Sequence, residues 1–409
     1  MNTPRFLQIH TLTSYPGTLL NRDDAGFAKR LPFGGATRTR VSSQCLKRHW
    51  RTFAGEHSLA EIDVPRSIRS RETFKRRVAN PLVSSGLPEP LTHAVVKLII
   101  DDVVGKSAAR GDEETALHTS QITVLGEPEV QYMRQVARDF IEEVRDDFEE
   151  RFGEDVEDKK ADKDLGKVWK KSKGKDLKKN LAGLNLATGL DAALFGRMAT
   201  SDILARGDAA VHVAHAITVH EEASESDYFS AVDDLVAEEG DGELGAGHIN
   251  STELTSGLFY GYVVVDVPLL VSNLEGVPAE EWQEADRTLA AKVAERLIHI
   301  ITRVSPGAKL GSTAPYAHSQ CVLVEWGSTQ PRTLANAFQR PVRERPDVLA
   351  NAYDALGRHI SELDGMYGHA TERRLSGIGP VDRLFEPVGV EQTVPVADAA
   401  SWVADRIQE

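Results

Sequence analysis

Charge along this 409-residue chain is segregated into blocks, and that segregation limits what the chain can fold into and meet more than any other feature. Between Ala25 and Gly55 there is no acid, whereas Lys29, Arg30, Arg38, Arg40, Lys47, Arg48 and Arg51 recur at close spacing. Residues 1–110 hold 18 Lys plus Arg against 9 Asp plus Glu, a local balance of +9. Residues 139–158 form an acidic, helix-like run, and residues 159–179 follow at once with ten Lys and three Asp. No Lys or Arg occurs from Gly207 through Asp286. Like charges repel unless they are spread over separate surfaces or neutralised by a partner, so the basic N-terminal quarter has the composition of a polyanion-facing surface. The net charge of -14 and the pI near 5.5 are averages over these blocks and say little about partners.

With 41% hydrophobic and 27% charged residues, the chain has the profile of a globular protein long enough for two or three domains. Its most apolar stretch, Leu258 to Val271, is interrupted by Asp266 and Pro268, which predicts no membrane span. The opening MNTPRFLQIH has no basic segment followed by an apolar one, so no secretory leader is expected. Cys45 and Cys321 stand alone, which fits a reducing cytoplasm and excludes a disulfide framework or a Cys-rich zinc site.

The apolar pattern of Arg5–Thr13 predicts a buried strand, followed by a loop through Asn21–Asp24. Gly34 and Gly35 predict a turn that lets a ligand approach the backbone closely, and Thr37–Val41 continues extended. Ser42 or Ser43 is the expected N-cap of a helix over Gln44–Phe53, with Lys47 and Arg51 on one side and Leu46 and Trp50 facing a core. Residues 56–195 read as a helical insertion, with Phe140, Val144 and Phe148 at four-residue spacing and a short helix over Leu184–Ala193. Ala209–Val219 and Gly257–Val267 read as strands, and the acidic, Gly-rich Glu221–Thr255 between them as a protruding hairpin or loop. A helix over Trp282–Arg303, a strand over Cys321–Trp326 and a C-terminal helix over Asp347–Met366 complete an α+β pattern.

Several groups suggest chemistry. His212, His215 and His220 give H-x2-H-x4-H, but in an extended segment the first two face opposite sides, which favours structural histidines over ligands. Gly240, Gly242 and Gly245 satisfy G-x-G-x-x-G without a strand or helix beside them, and Asp241 and Glu243 would repel a pyrophosphate. Asp23 and Asp24 could hold Mg²⁺ for phosphodiester cleavage, although a loop ordered by Asx hydrogen bonds explains them as well. The acid-free segment 25–55 suits phosphate binding, because a Ser-capped helix N-terminus is a ready anion site beside Lys and Arg side chains. The Lys run 159–179 could bind an anion or be a solvated loop.

NRDD at 21–24, FGG at 33–35, RVSSQCLKR at 40–48, GRMATS at 196–201, AHAIT at 214–218, AVDDL at 231–235 and PGAK at 306–309 occur in this order along the chain. Together they resemble the crRNA-binding backbone subunit of the type I-E CRISPR Cascade complex, the CasC family of the RAMP superfamily. The resemblance implies an RRM-like (ferredoxin-like) palm over residues 1–55, 195–220 and 257–409, a helical fingers insertion over 56–194, and a β-hairpin thumb over 221–256. It implies a non-catalytic scaffold without metal or cofactor, which assembles in several copies along the spacer of a guide RNA and presents it to target DNA. Lys29, Arg38, Arg40, Ser42, Gln44, Lys47, Arg48 and Arg51 would lie against the RNA backbone, with Met198 wedged against bases and Phe229, Val232 and Ile249 in the thumb displacing a base. Lys167, Lys170, Lys171, Lys173 and Lys175 would border the path of double-stranded DNA before an R-loop forms. Expected partners are crRNA, target DNA, further copies of the chain, and the large, small, crRNA-processing and 5′-handle-binding subunits, all cytoplasmic and with no membrane. The rival reading is a metal-dependent ribonuclease of the same superfamily using Asp23 and Asp24, and a third is a filament subunit that assembles without RNA.

Overall fold

The computed structural model describes residues 3–105, 117–152, 159–173, 177, 180–181, 188–197, 208–232, 246–369 and 371–409. The chain begins with β1 (Phe6–Thr18), the hairpin β2 (Arg30–Phe33) and β3 (Ala36–Val41), and helix α1 (Ser43–Thr52). A largely helical stretch follows with β4 (Ser67–Ser70), α2 (Asn80–Ser84), α3 (Glu89–Val103), β5 (Thr123–Gly126), α4 (Glu127–Phe152), α5 (Lys159–Lys171) and α6 (Leu190–Phe195). Then come β6 (Val211–Val213), β7 (Ala216–Thr218), β8 (Ala223–Val232), β9 (Ala246–Asp266), α7 (Val267–Glu275) and α8 (Thr288–Arg303). The last elements are β10 (Cys321–Gly327), α9 (Val348–Tyr367), β11 (Thr371–Gly377), α10 (Phe385–Val388) and α11 (Val396–Gln408).

Two compact units result, one of residues 1–62, 211–267 and 287–409, the other of residues 63–210 and 268–286. In the first, a nine-stranded antiparallel sheet runs in the order β11-β10-β1-β9-β7-β3-β2, with β6 and β8 also pairing with β9. β1 is central, and Leu7, Ile9 and Leu12 are buried because both faces of the sheet are covered. On one face Leu12, Leu258, Tyr260, Leu323 and Leu375 meet Tyr353, Leu356 and Ile360 of α9. On the other, Tyr15, Val41, Ala216 and Phe259 meet Cys45 and Leu46 of α1. α8 presents nine buried residues, among them Val293, Leu297 and Ile300. It begins at Thr288 and not at Trp282, since residues 282–287 form turns after the 3-10 turn Ala279–Glu281. β11 and α11 follow the expected last helix. The sequence TERRLSG hides the strand because its core-facing Arg373 reads as polar yet is buried by ion pairing.

The second unit is built on α3 and α4, whose Val95, Val96, Ile99, Met133, Phe140, Val144 and Phe148 share one core. The four-residue spacing of the last three residues therefore does mark a buried helix face. Trp169 of α5 closes this core, with its ring edge-on to Phe140 at 5.0 Å and its indole N–H donated to Asp102 at 2.7 Å. Buried charges are paired: Arg197 with Glu129 at 2.7 Å and Arg66 with Asp191 at 2.6 Å. Among the described residues no helix is long and apolar enough to cross a membrane.

Beneath β10 the first unit holds a buried polar cluster. Glu325 has no solvent exposure and accepts from Arg332 at 2.8 Å, Arg373 at 2.8 Å and His10 Nε2 at 3.2 Å. Tyr260 accepts from the Leu334 N–H and sits 2.9 Å from His10 Nδ1, which fits a neutral imidazole that takes the tyrosine proton and donates to Glu325. Burial alone would push the Glu325 carboxyl up, but hydrogen bonds from His10 and Arg332 and the charge of Arg332 hold it well below the usual carboxylate range. Burial pushes the His10 imidazole down. In both groups the unfolded chain binds protons more readily than the folded one, so their stabilisation is complete near neutrality and is lost on acidification. Thermal unfolding followed against pH should show a midpoint falling below neutrality and further through the ordinary carboxylate range. Glu325→Gln, which leaves two arginines undercompensated, should cost about 3 kcal/mol at neutral pH and flatten the acid limb.

Candidate nucleic-acid interface

The basic segment forms a face because three local devices fix it. First, Asn21 clasps the loop after β1: its carbonyl accepts from the Lys29 N–H at 2.9 Å, and its Oδ1 accepts from the Ser42 N–H at 2.9 Å. Second, Asp23 Oδ1 accepts from the N–H groups of Ala25 and Phe27 at 3.0 and 2.9 Å, an Asx arrangement that shapes the loop. Third, Ser42 caps α1, its Oγ accepting from the Cys45 N–H at 3.3 Å. The first turn of α1 contains no acid, so its positive end is not neutralised locally.

On α1, Gln44, Lys47, Arg48 and Arg51 fall at helical spacing on the outer side, while Trp50 is buried and Cys45 and Leu46 pack on the sheet. Gln44 and Arg48 are exposed, and Lys47 and Arg51 are half-buried. Lys29 and Arg40 extend this face at the helix start. Burial raises the Cys45 thiol while Arg48 and Lys29 oppose the rise, which puts both cations close to it. His215, between β6 and β7, joins the group, with Nδ1 3.0 Å from Arg40 Nη1. Burial first, then the charges of Arg40 and Lys29, hold its imidazole below the usual histidine range. His215 was considered in the sequence only as one of three spaced histidines, and the sequence signal that could have found it is AHAIT. His49 anchors the PGAK loop beneath: its Nδ1–H donates to the Cys45 carbonyl at 2.8 Å and its Nε2 accepts from the Gly307 N–H at 3.4 Å.

Arg38 is not part of this face. It is fully buried, and its guanidinium donates to the carbonyls of Phe33, Thr218, His220, Phe338 and Gln339 at 2.9–3.5 Å. Arg38 and Arg40 lie on the same side of β3, but Arg38 is covered by the Thr218–His220 and Phe338–Gln339 segments, whose carbonyls replace its hydration and keep it out of reach of a phosphate. Gly34 is likewise not open to a ligand: a Cβ there would lie 1.5 Å from the Gln339 carbonyl oxygen, and its φ is +64°. The close approach it permits is to this chain's own loop.

Of the remaining expected residues, Phe229, Val232 and Ile249 have their backbones in the β8–β9 ladder, opposite Asn250, Ala246 and Ser230, but their side chains lie outside the described part. Met198 and Lys175, and Gly240, Gly242 and Gly245, lie outside the described residues altogether. In the second unit, Lys167, Lys170 and Lys171 are exposed on α5, with Lys167 2.8 Å from Asp164. Lys173 follows the helix, 3.9 Å from Glu143. Among the described residues no group of three or more His, Cys, Asp or Glu is disposed to hold a metal ion. His220 is buried and accepts from the Leu258 N–H at 3.1 Å, as a structural histidine does.

Arg38→Lys separates the two roles of a buried cation. It keeps the charge but loses the planar fork, leaving several carbonyls unpaired at about 1–3 kcal/mol each. The RNA-free variant should melt at a clearly lower temperature than the wild type, whereas a phosphate-contacting arginine would leave that temperature unchanged.

No curated protein sequence matches the chain. Among solved structures, a chain of a "CRISPR RNA-guided surveillance complex, pre-nicking" superposes with a TM-score of 0.77 at 24% identity, over 98% of this chain and 100% of that one. A chain of a "CRISPR RNA-guided surveillance complex" superposes with a TM-score of 0.67 at 21% identity, over 98% and 99%. Residues 7–391 match the model of a Cas protein family described as CT1975-like protein, and the chain therefore belongs to that family.

Proposed function

We propose that this chain is the guide-RNA-gripping backbone subunit of a CRISPR surveillance complex of the Cascade type, as the motif resemblance to the type I-E CasC family suggests. The observation that carries the reading is the capped, acid-free start of α1 with Lys29, Arg40, Lys47, Arg48 and Arg51 around it. Such a face neutralises phosphates without touching base edges, which is what a protein that must accept any guide requires. Sequence reading is then left to pairing between guide and target. Ser42 and Gln44 supply neutral hydrogen-bonding groups at the helix start, where an anion is favoured.

The strand order β10-β1-β9-β7, with α1 and α8 as the helices between its strands, supports assigning the first unit as an RRM-like palm. The second unit corresponds to the fingers and the β8–β9 hairpin to the thumb. The exposed lysines of α5 suit contact with duplex DNA. The reading is of a scaffold and not a nuclease, because hydrogen bonds from the Ala25 and Phe27 N–H groups to Asp23 Oδ1 account for this acid as a loop-shaping residue. Multiple copies along one RNA and contacts with the other Cascade subunits belong to the same reading.

Native mass spectrometry of the purified protein with unrelated single-stranded RNAs of two lengths tests it. Copy number should rise with RNA length, and the RNA should remain intact with Mg²⁺. RNA shortened only with Mg²⁺, and spared by Asp24→Ala, would replace the scaffold with the nuclease, and assembly without RNA would replace it with a protein-only filament. Lys47→Glu together with Arg48→Glu should weaken RNA binding by about tenfold per lost charge-assisted contact, whatever the RNA sequence. The log–log salt dependence should be shallower by about 0.7 for each contact removed. Because a phosphate beside His215 favours its protonated form, RNA affinity should rise as pH falls through the ordinary histidine range and below. His215→Gln should weaken that dependence in an anisotropy titration.

A further inference from the structure

The first unit carries a second cationic surface, far from α1 in sequence. The segment QRPVRER at 339–345 crosses one side of α9, and a cleft of about 720 Å³ opens between them. Arg340 and Arg343 from the segment and Arg358 from α9 line it and are exposed. Asn336 and His359 line both this cleft and a neighbouring one of about 650 Å³, so the two form one groove. Tyr367 stands at its far end, 72% exposed.

The segment is held by its backbone, which leaves its arginine heads to solvent. The Val342 N–H donates to Val219 O at 3.0 Å, and Asn351 Nδ2 donates to the carbonyls of Arg343 and Arg345 at 2.8 and 3.3 Å. Of the acids nearby, Asp354 pairs with Arg383 at 2.6 Å, Asp364 with Arg373 at 2.6 Å, Asp347 caps α9, and Glu344, exposed between Arg343 and Arg345, lies 3.8 Å from His220 Nδ1. Glu362 is also in the cleft. Among the described residues, Arg340, Arg343 and Arg358 have no acid within ion-pair distance. A protein partner would need a central apolar cluster to bury, and the cleft at Arg340, Arg343 and Arg358 is mostly polar, the apolar lining being in the neighbouring cleft beside Tyr367. A row of cations ending in one aromatic ring is instead the pattern of a backbone track with a base-stacking platform.

We propose that this groove is a second track for single-stranded nucleic acid, separate from the α1 face. Arg340, Arg343 and Arg358 neutralise successive phosphates and Tyr367 stacks a base. The track does not depend on the α1 face being the guide site.

The test uses the full chain and an unstructured oligonucleotide as RNA and as DNA, with a DNA duplex and polyglutamate as comparisons. Three variants are compared: Arg340→Glu/Arg343→Glu/Arg358→Glu, Tyr367→Ala, and the α1 variant Lys47→Glu/Arg48→Glu. The triple variant should lose more than about tenfold in single-strand affinity, and its log–log salt dependence should be shallower by about 2, from three contacts at about 0.7 each. Tyr367→Ala should lose about tenfold with the salt dependence unchanged, and all variants should melt like the wild type. The stronger loss among the RNA and DNA arms identifies the strand. Unchanged affinity and salt dependence in the triple variant overturn the proposal. So does a loss confined to polyglutamate, which marks a protein surface, or an equal loss for duplex with Tyr367→Ala neutral. If the triple variant loses binding while the α1 variant does not, the groove stands and the guide-site reading falls.

Discussion

The buried guanidinium of Arg38 is the constraint on which the basic edge of the first unit depends. A cation without solvent contact is costly unless its donors are matched, and here carbonyls from three separate segments match them. Burial lowers its pKa and the charge of Glu221 opposes the change, so the site works by hydrogen bonding more than by ion pairing. One side chain thereby fixes the β2–β3 turn, the end of β7 and the loop at Phe338–Gln339 relative to each other. The consequences run in two directions along the chain. Through β3 it sets where Arg40, Ser42 and α1 begin, and through Gln339 it sets the segment carrying Arg340 and Arg343.

The polar cluster around Glu325 plays a comparable part at the other end of the sheet. There the matching is between charges, with Glu325 and Asp364 against Arg332 and Arg373. Such a cluster contributes little net stability compared with apolar packing, but each member is costly to remove. It joins β1, β10, β11 and α9 through side chains that fit only one register. The basic face of α1 differs in kind, because Gln44 and Arg48 on it are exposed and its first turn holds no acid. Arg38 and Arg48, in one short stretch of sequence, thus end in opposite environments, one buried among carbonyls and one exposed.

Arg38 and Arg40 show how much of the site was legible beforehand. The acid-free run, the Ser cap and the outward spacing of Gln44, Lys47, Arg48 and Arg51 follow from composition and helical period, and α1 forms within a residue of its expected limits. That Arg38 is buried does not follow, because Arg38 and Arg40 share one side of β3 and only the segments packed over Arg38 tell them apart. Gly34 shows the same limit: a flexible turn is readable, but what approaches it is not. His215 reaches Arg40 only because β7 pairs with β3. α8 starts six residues later than expected, because residues 282–287 form turns whose end no local pattern marks.

The sequence by itself determined the α+β class, the central strand, the helical insertion and the basic segment, because these rest on local period and composition. It also carried the ordered motifs that point to the family. Only the tertiary structure decided which cations face solvent, which glycine touches the chain itself, and that residues 336–343, 358–359 and 367 line one groove. Those outcomes depend on contacts between residues far apart in sequence, such as Arg38 with Gln339 at a separation of 301. No local pattern encodes them, because the energy of burying a charge is set by whatever surrounds it after folding.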